Sequence, residues 1–147
     1  MAEFDPPKPK DIPAQLRLLL LAIALGTAAL LALAWCLKPS PYQHGTHQQL
    51  GLPPCSFEVL FGIPCPTCGM TTAWVHLVHG ELLSAFRASS GGTLLAGLAI
   101  VAIPWLMISA LGGRWLGWKP NGKALACIST LIIVIMLVQW GFRLFSN

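Results

Sequence analysis

The sequence predicts an all-α polytopic membrane protein with three transmembrane helices and a short interfacial or re-entrant helical segment between the first and the second. Of its 147 residues, 55% are hydrophobic and only 10% are charged, whereas a soluble domain carries about 25% charged residues. The mean hydropathy is +0.69, and the apolar residues lie in long uncharged stretches. At this length we expect one compact unit.

The first transmembrane helix is predicted at residues 18–37, which contain twenty residues without a charge. At about 1.5 Å per residue, such a helix crosses a hydrocarbon core of about 30 Å. Lys38 and Pro39 end it, because a charge is costly in lipid and proline cannot donate to the helical ladder. Residues 1–17 form a tail with both signs of charge. A cleavable signal peptide fits less well, since its apolar core has only about 7–15 residues.

The second and third transmembrane helices are predicted at residues 91–113 and 124–142, which are also uncharged. The short connection 114–123 joins them as a helical hairpin, and Arg143 marks the exit from the third helix.

Small side chains within these spans are predicted to serve helix packing. Small residues four positions apart let helices approach closely, and two such pairs are Ala22 with Gly26 and Gly92 with Ala96. Cys36 and Cys127 are predicted to be small apolar packing residues.

Residues 38–90 are predicted to form a separate cysteine-containing segment. Their stretch 59–80 is uncharged, but helix-breaking residues stand near its middle, at Gly62, Pro64, Pro66 and Gly69. Only residues 68–79 can form a continuous helix, and its length of about 18 Å is too short to cross the bilayer. We therefore expect short interfacial helices here.

The distribution of basic residues predicts the orientation. With three crossings, six lysines and arginines (Lys8, Lys10, Arg17, Arg114, Lys119 and Lys123) lie on one side and three (Lys38, Arg87 and Arg143) on the other. The positive side faces the cytoplasm, so we expect a multi-pass protein of the bacterial cytoplasmic (inner) membrane with a cytoplasmic amino terminus, cytoplasmic residues 1–17 and 114–123, and an extracytoplasmic segment 38–90. With four crossings, five lysines and arginines would lie on one side and four on the other, a count that hardly distinguishes the two orientations.

The sharpest local motif is Cys65-Pro66-Thr67-Cys68-Gly69. Two cysteines three positions apart suit two chemistries. A tight turn can aim both sulfurs at one metal ion, or the pair can open and close as a disulfide. Cys55 lies ten residues before Cys65 and is the candidate third thiol in either case.

A metal site would hold zinc or another transition metal through Cys55, Cys65, Cys68 and one histidine, because a closed zinc site has four ligands. The candidate histidine is His79, and His44, His47 and His76 lie in the same region. A redox site would use the same three cysteines, with Cys55 as a resolving partner. In a third interpretation the cysteines simply lock or pack the turn, with Thr67 as a candidate helix cap.

Residues from Cys55 to about Thr93 resemble a family of small bacterial membrane proteins catalogued as domain of unknown function 2752. The matching residues are Cys55, Gly62, Pro64, Cys65, Pro66, Cys68, Gly69, Met70, Thr71, Ala73, Gly80, Glu81 and Leu82. Among them, Pro64, Pro66, Gly69, Thr71 and Gly80 are the expected structural residues of the motif. Two positions depart from the pattern: Thr72 stands where the family usually has arginine, and Ser89-Ser90 where it has Asn-Pro. The resemblance implies a membrane protein with an intervening cysteine segment and no assigned reaction.

The leading functional hypothesis is a non-enzymatic accessory or structural membrane component with a cysteine-stabilised extracytoplasmic segment. The alternative is a thiol-disulfide redox or metal-binding membrane protein that uses Cys65 and Cys68. The sequence has no Walker motif, serine-hydrolase elbow or HExxH helix. The expected partners are the lipid bilayer and a membrane protein or a second copy of the chain, and not nucleic acid.

Overall fold

The computed structural model describes residues 12–40, 45–63, 65–117 and 121–145, and over these residues it is all-helical, as predicted. The helices in chain order are α1 (Ala14–Cys36), a 3₁₀ helix (Thr46–Leu50), α2 (Ser56–Phe61), α3 (Met70–Val78), α4 (Leu82–Ala88), α5 (Ser90–Gly112) and α6 (Gly122–Phe145).

Helices α1, α5 and α6 are long and apolar enough to cross a membrane. They contain 23, 23 and 24 residues, and their most apolar windows have hydropathies of 2.4, 2.3 and 2.2. The predicted fold class, with three spans and shorter helices between the first two, is therefore confirmed, and the chain is a multi-pass membrane protein.

Helices α1 and α5 pack antiparallel. At one end Leu20 of α1 shares an apolar cluster with Ala110 of α5, and the Ile12 N–H donates to the Gly113 carbonyl at 2.8 Å. At the other end Ala34 of α1 packs against Val75 of α3. The end of α1 and the start of α5 therefore lie on the same side of the bundle, together with the short helices.

Helix α6 returns to that same side. The Gln139 Oε1 accepts a hydrogen bond from the Ser90 N–H at 2.7 Å, which joins the last turns of α6 to the first residue of α5. The cysteine segment thus lies at one end of a three-helix bundle, and the connection between α5 and α6 lies at the other.

Arg17 explains why α1 begins at Ala14, before the predicted span. Its Nε donates to the Ala110 carbonyl at 2.7 Å and its Nη2 to the Leu111 carbonyl at 3.0 Å. The last carbonyls of a helix have no intrahelical partner and carry partial negative charge. A cation in the first turn of α1 is therefore accommodated because it caps α5.

The start of α5 packs closely because its residues are small. A Cβ at Gly92 would lie 3.2 Å from the Met70 Cα at the start of α3, and Ala96 is fully buried. This confirms a packing role for the Gly92 and Ala96 pair. The Ala22 and Gly26 pair does not pack in this way, since a Cβ at Gly26 would meet no described atom within 4 Å.

We expect Gly92→Leu to destabilise the protein by about 1–3 kcal/mol, because the new side chain must displace the α3 backbone. Gly97→Leu is the matched control on the same helix, since a Cβ there meets nothing within 4 Å among the described atoms. Denaturant unfolding of both variants in detergent micelles, followed by circular dichroism, measures the difference. Equal stability of the two variants would contradict close packing of α5 on α3.

Candidate functional site

The structure brings together the three cysteines that the sequence singled out. The Sγ atoms of Cys55, Cys65 and Cys68 all lie within 4.8 Å of one another. Cys55 and Cys65 are half-buried and Cys68 is buried. No other group of three histidine, cysteine or acidic side chains comes so close within the residues that the structure describes.

Glycines in left-handed conformations shape the chain around this cluster. Cys55 precedes the first residue of α2, and Gly62 ends that short helix at a φ of 69°. A turn then bonds the Cys68 N–H to the Cys65 carbonyl at 2.9 Å, and Gly69 starts α3 at a φ of 93°. Side chains with a Cβ rarely adopt this conformation, so glycine is needed at both reversals. Thr67 does not cap α3, which has no side-chain cap, and its Oγ1 lies 3.2 Å from the Cys65 Sγ.

The thiols of Cys55 and Cys68, the first and last cysteines of the cluster along the chain, differ in acidity. Hydrogen bonds from the backbone N–H groups of Glu58 and Phe57, at the start of α2, lower the pKa of the Cys55 thiol. Burial, and to a smaller extent the neighbouring charges of Cys65 and Cys55, raise the pKa of the Cys68 thiol to about 12. Cys55 is therefore the readier thiolate, and Cys68 stays protonated unless a positive charge compensates it.

The donor set fits a thiophilic metal ion. Sulfur ligands bind zinc at about 2.3 Å, which places the sulfurs of a tetrahedral site about 3.8 Å apart. The three Sγ atoms lie within 4.8 Å of one another, so the group could hold one such ion. A disulfide needs two sulfurs at about 2.05 Å and uses only two of the three thiols.

His79 does not join the cysteines. Its Nδ1 is hydrogen-bonded to the Val75 carbonyl at 2.8 Å, and its ring stacks on Trp35 with 5.3 Å between the centroids. His47 lines an apolar cavity of about 260 Å³ between α1 and α3, together with Thr71 of the predicted motif. His44 and Pro64 lie outside the described residues.

His76 forms an interaction that sequence reasoning missed. It is buried, and its Nδ1 lies 2.7 Å from the Glu81 Oε2 while its Nε2 lies 3.0 Å from the Ser40 carbonyl. A carbonyl only accepts, so Nε2 carries a proton. Glu81, whose side chain is exposed, joins the end of α3 to the start of α4 through this contact, around Gly80, whose φ is 82°. The sequence signal for this interaction was a histidine and a glutamate five residues apart, on either side of a helix-breaking glycine.

The remaining predicted residues lie in or beside the segment. Pro66 is half-buried in the turn between Cys65 and Cys68. Thr72, at the position where the family resemblance leads us to expect arginine, is buried, and its Oγ1 is hydrogen-bonded to the Thr46 Oγ1 at 2.8 Å. Cys36 and Cys127 are exposed, which corrects their expected packing role, because no described helix covers the faces that carry them.

Arg143 and Gln139, on the last turns of α6, also contact this region. The Arg143 Nη1 lies 3.4 Å from the Cys68 carbonyl, and Nη2 donates to the carbonyls of Arg87 and Ala88. Gln139 Nε2 donates to the Phe86 carbonyl at 3.2 Å. From the sequence alone, Arg143 marks the exit from the third span and adds to the count of basic residues on one side. The available signal was the four-residue spacing of these two polar residues, which places both on one face of an apolar helix.

Fold and site together define a small multi-pass helical membrane protein with a three-cysteine cluster at one end of its bundle. Residues 55–103 match a family described as "Protein of unknown function (DUF2752)". This match confirms the resemblance to that family. It covers the part of the cysteine segment from residue 55 onward and slightly more than the first half of α5, about a third of the chain. No curated protein and no solved structure matches the chain significantly.

We expect Cys55 to be alkylated more than about tenfold faster than Cys68 at pH 7 to 8, because one unit of pKa changes the thiolate fraction tenfold. The lowered pKa of Cys55 and the raised pKa of Cys68 both increase the thiolate fraction of Cys55 relative to that of Cys68. Timed iodoacetamide treatment of the metal-free protein in detergent, followed by peptide mass mapping, measures both rates. The urea-unfolded chain is the control, in which the rates should converge. Equal rates in the folded protein would contradict the assigned environments.

Proposed function

We propose that this protein is a non-enzymatic membrane component whose cysteine segment is stabilised by one transition metal ion, with zinc as the first candidate, bound by Cys55, Cys65 and Cys68. The observation that supports this function is the convergence of three thiols from separate points of the chain to within 4.8 Å. Sulfur-only ligand sets favour zinc, copper(I) or iron.

The local packing explains why such a cross-link is useful. Helix α2 has only six residues and none of them is buried, so it contributes no core of its own. The three cysteines stand before α2, in the turn after it and at the entry to α3. A metal held by all three would join these elements, and its binding free energy would stabilise the folded segment.

A thiol-disulfide function is the second candidate, and the unequal acidity of Cys55 and Cys68 favours it. Oxidation of two of these thiols to a disulfide would release two protons and pass two electrons to an external acceptor. The third thiol could then attack that disulfide through a mixed intermediate.

The membrane topology belongs to the same proposal. The cysteine segment lies at the end of the bundle opposite Arg17 and Arg114, where α1 begins and α5 ends. The excess of basic residues on that opposite side supports a cytoplasmic amino terminus in a bacterial inner membrane and an extracytoplasmic cysteine segment. The lipid bilayer is the partner that the three apolar helices require.

We expect the reduced protein, loaded with zinc and dialysed, to retain about one zinc per chain. Cys55→Ser, Cys65→Ser and Cys68→Ser should each lose most of it, because a two-thiol site binds weakly. Cys36→Ser and Cys127→Ser are the matched controls and should keep it, since these cysteines lie outside the cluster. Elemental analysis with intact mass measures the result. The intact mass of the protein as purified, before any reduction, tests the alternative: a metal-free chain two hydrogens lighter than its sequence would instead support the disulfide function.

The proposed topology predicts that a membrane-impermeant maleimide labels Cys55 from outside intact cells, in a chain whose other cysteines are replaced by serine. The control is a chain in which all five native cysteines are replaced by serine and Arg114→Cys supplies the single thiol. This control should be labelled only after the membrane is permeabilised. Labelling of Arg114→Cys but not of Cys55 in intact cells would overturn the orientation.

A further inference from the structure

Helix α6 is held to the rest of the protein mainly at its carboxyl-terminal end. None of its residues is buried, and an apolar cleft of about 630 Å³ separates its first half from α5. Its close contacts at that end include Met136, which lies against Gly91, and the hydrogen bonds of Gln139 and Arg143 to the junction of α4 and α5.

Arg143 places a positive charge among backbone carbonyls. Its guanidinium donates to the last carbonyls of α4, at Arg87 and Ala88, and to that of Cys68. In the part of the chain that the structure describes, no carboxylate lies within salt-bridge distance of it. The side chain is half-buried, and a charge in such a position is costly unless an opposite charge pairs with it.

The cysteine cluster lies beside this guanidinium. The Arg143 Nη1 is 3.4 Å from the backbone carbonyl of Cys68, one of the three cysteines. Three thiolates around a divalent ion would give the site one net negative charge. Water solvates this charge poorly, because the sulfur cluster is half-buried. Arg143 carries a positive charge that would balance it.

We propose that Arg143 is a positioning residue of the three-thiol site, whose charge balances the thiolates and so couples metal binding to the docking of α6. This inference rests on the metal-binding function proposed above. Binding at the cysteines then stabilises the contact of α6 with Cys68, and by linkage a docked α6 raises the metal affinity.

The experiment measures zinc affinity by competition with a chromogenic chelator for the reduced, full-length protein in detergent. Arg143→Gln keeps hydrogen-bond donors but removes the charge, and Arg143→Lys keeps the charge but removes the planar fork. Arg114→Gln removes an exposed arginine at the other end of the bundle and is the matched control. Residues that support metal ligands from outside typically contribute 10- to 100-fold to affinity.

Arg143→Gln should weaken zinc binding about 10- to 100-fold, whereas Arg143→Lys should lose less than about tenfold and Arg114→Gln should be unchanged. Hydrogen exchange gives a second readout, in which zinc slows exchange at residues 136–145 in the unaltered protein and not in Arg143→Gln. Circular dichroism of the metal-free variants checks that the helices are retained.

The outcomes separate the two proposals. Absence of zinc binding by the unaltered protein defeats the metal-binding function itself. Binding by the unaltered protein with equal affinity in Arg143→Gln overturns only the role of Arg143. An equal loss in Arg143→Lys and Arg143→Gln would show that the geometry of the guanidinium matters and not its charge, which also overturns the charge-balancing role. Zinc binding without any change in the exchange of α6 would overturn the coupling.

Discussion

The fold depends on how the carbonyl groups at helix ends find hydrogen-bond partners beside a membrane. Three long helices and several short ones produce many such ends, and a carbonyl without a partner in an apolar environment costs several kcal/mol. Arg17 of α1 satisfies the end of α5, and Arg143 of α6 satisfies the end of α4. Two cations therefore hold the bundle together at opposite ends, and each does so by joining a helix to one that is distant in sequence.

The geometry of the cysteine site follows from this frame. Helix α3, which begins just after Cys68, is held from three directions: by Val75 against α1, by Met70 against Gly92 of α5, and by the buried hydrogen bond between Thr72 and Thr46. Of the three cysteines, Cys68 is therefore the one that the surrounding helices hold most closely. Cys55 lies before a helix without a core, so it is the member whose position depends most on the other two.

The three spans and the interruption between them were predictable, because hydropathy, glycine and proline act over a few neighbouring residues. The convergence of Cys55 on Cys65 and Cys68 was also within reach of spacing arguments. The role of Arg143 was not, since Cys68 and Arg143 are 75 residues apart and no local pattern links them. The position of His79, outside the three-cysteine group, was unpredictable for a similar reason. Its ring is stacked on Trp35 of α1, a contact that depends on how α1 and α3 pack.

The acidity of the Cys68 thiol depends on its buried surroundings. A thiol with a pKa of about 12 is neutral at physiological pH, so Cys68 packs at little cost as a small apolar side chain while the site is empty. Deprotonating it requires positive charge nearby. A cation bound by the three cysteines would provide such charge. The burial that raises the pKa of Cys68 also makes it a poor free nucleophile, because little of the thiol is thiolate at physiological pH.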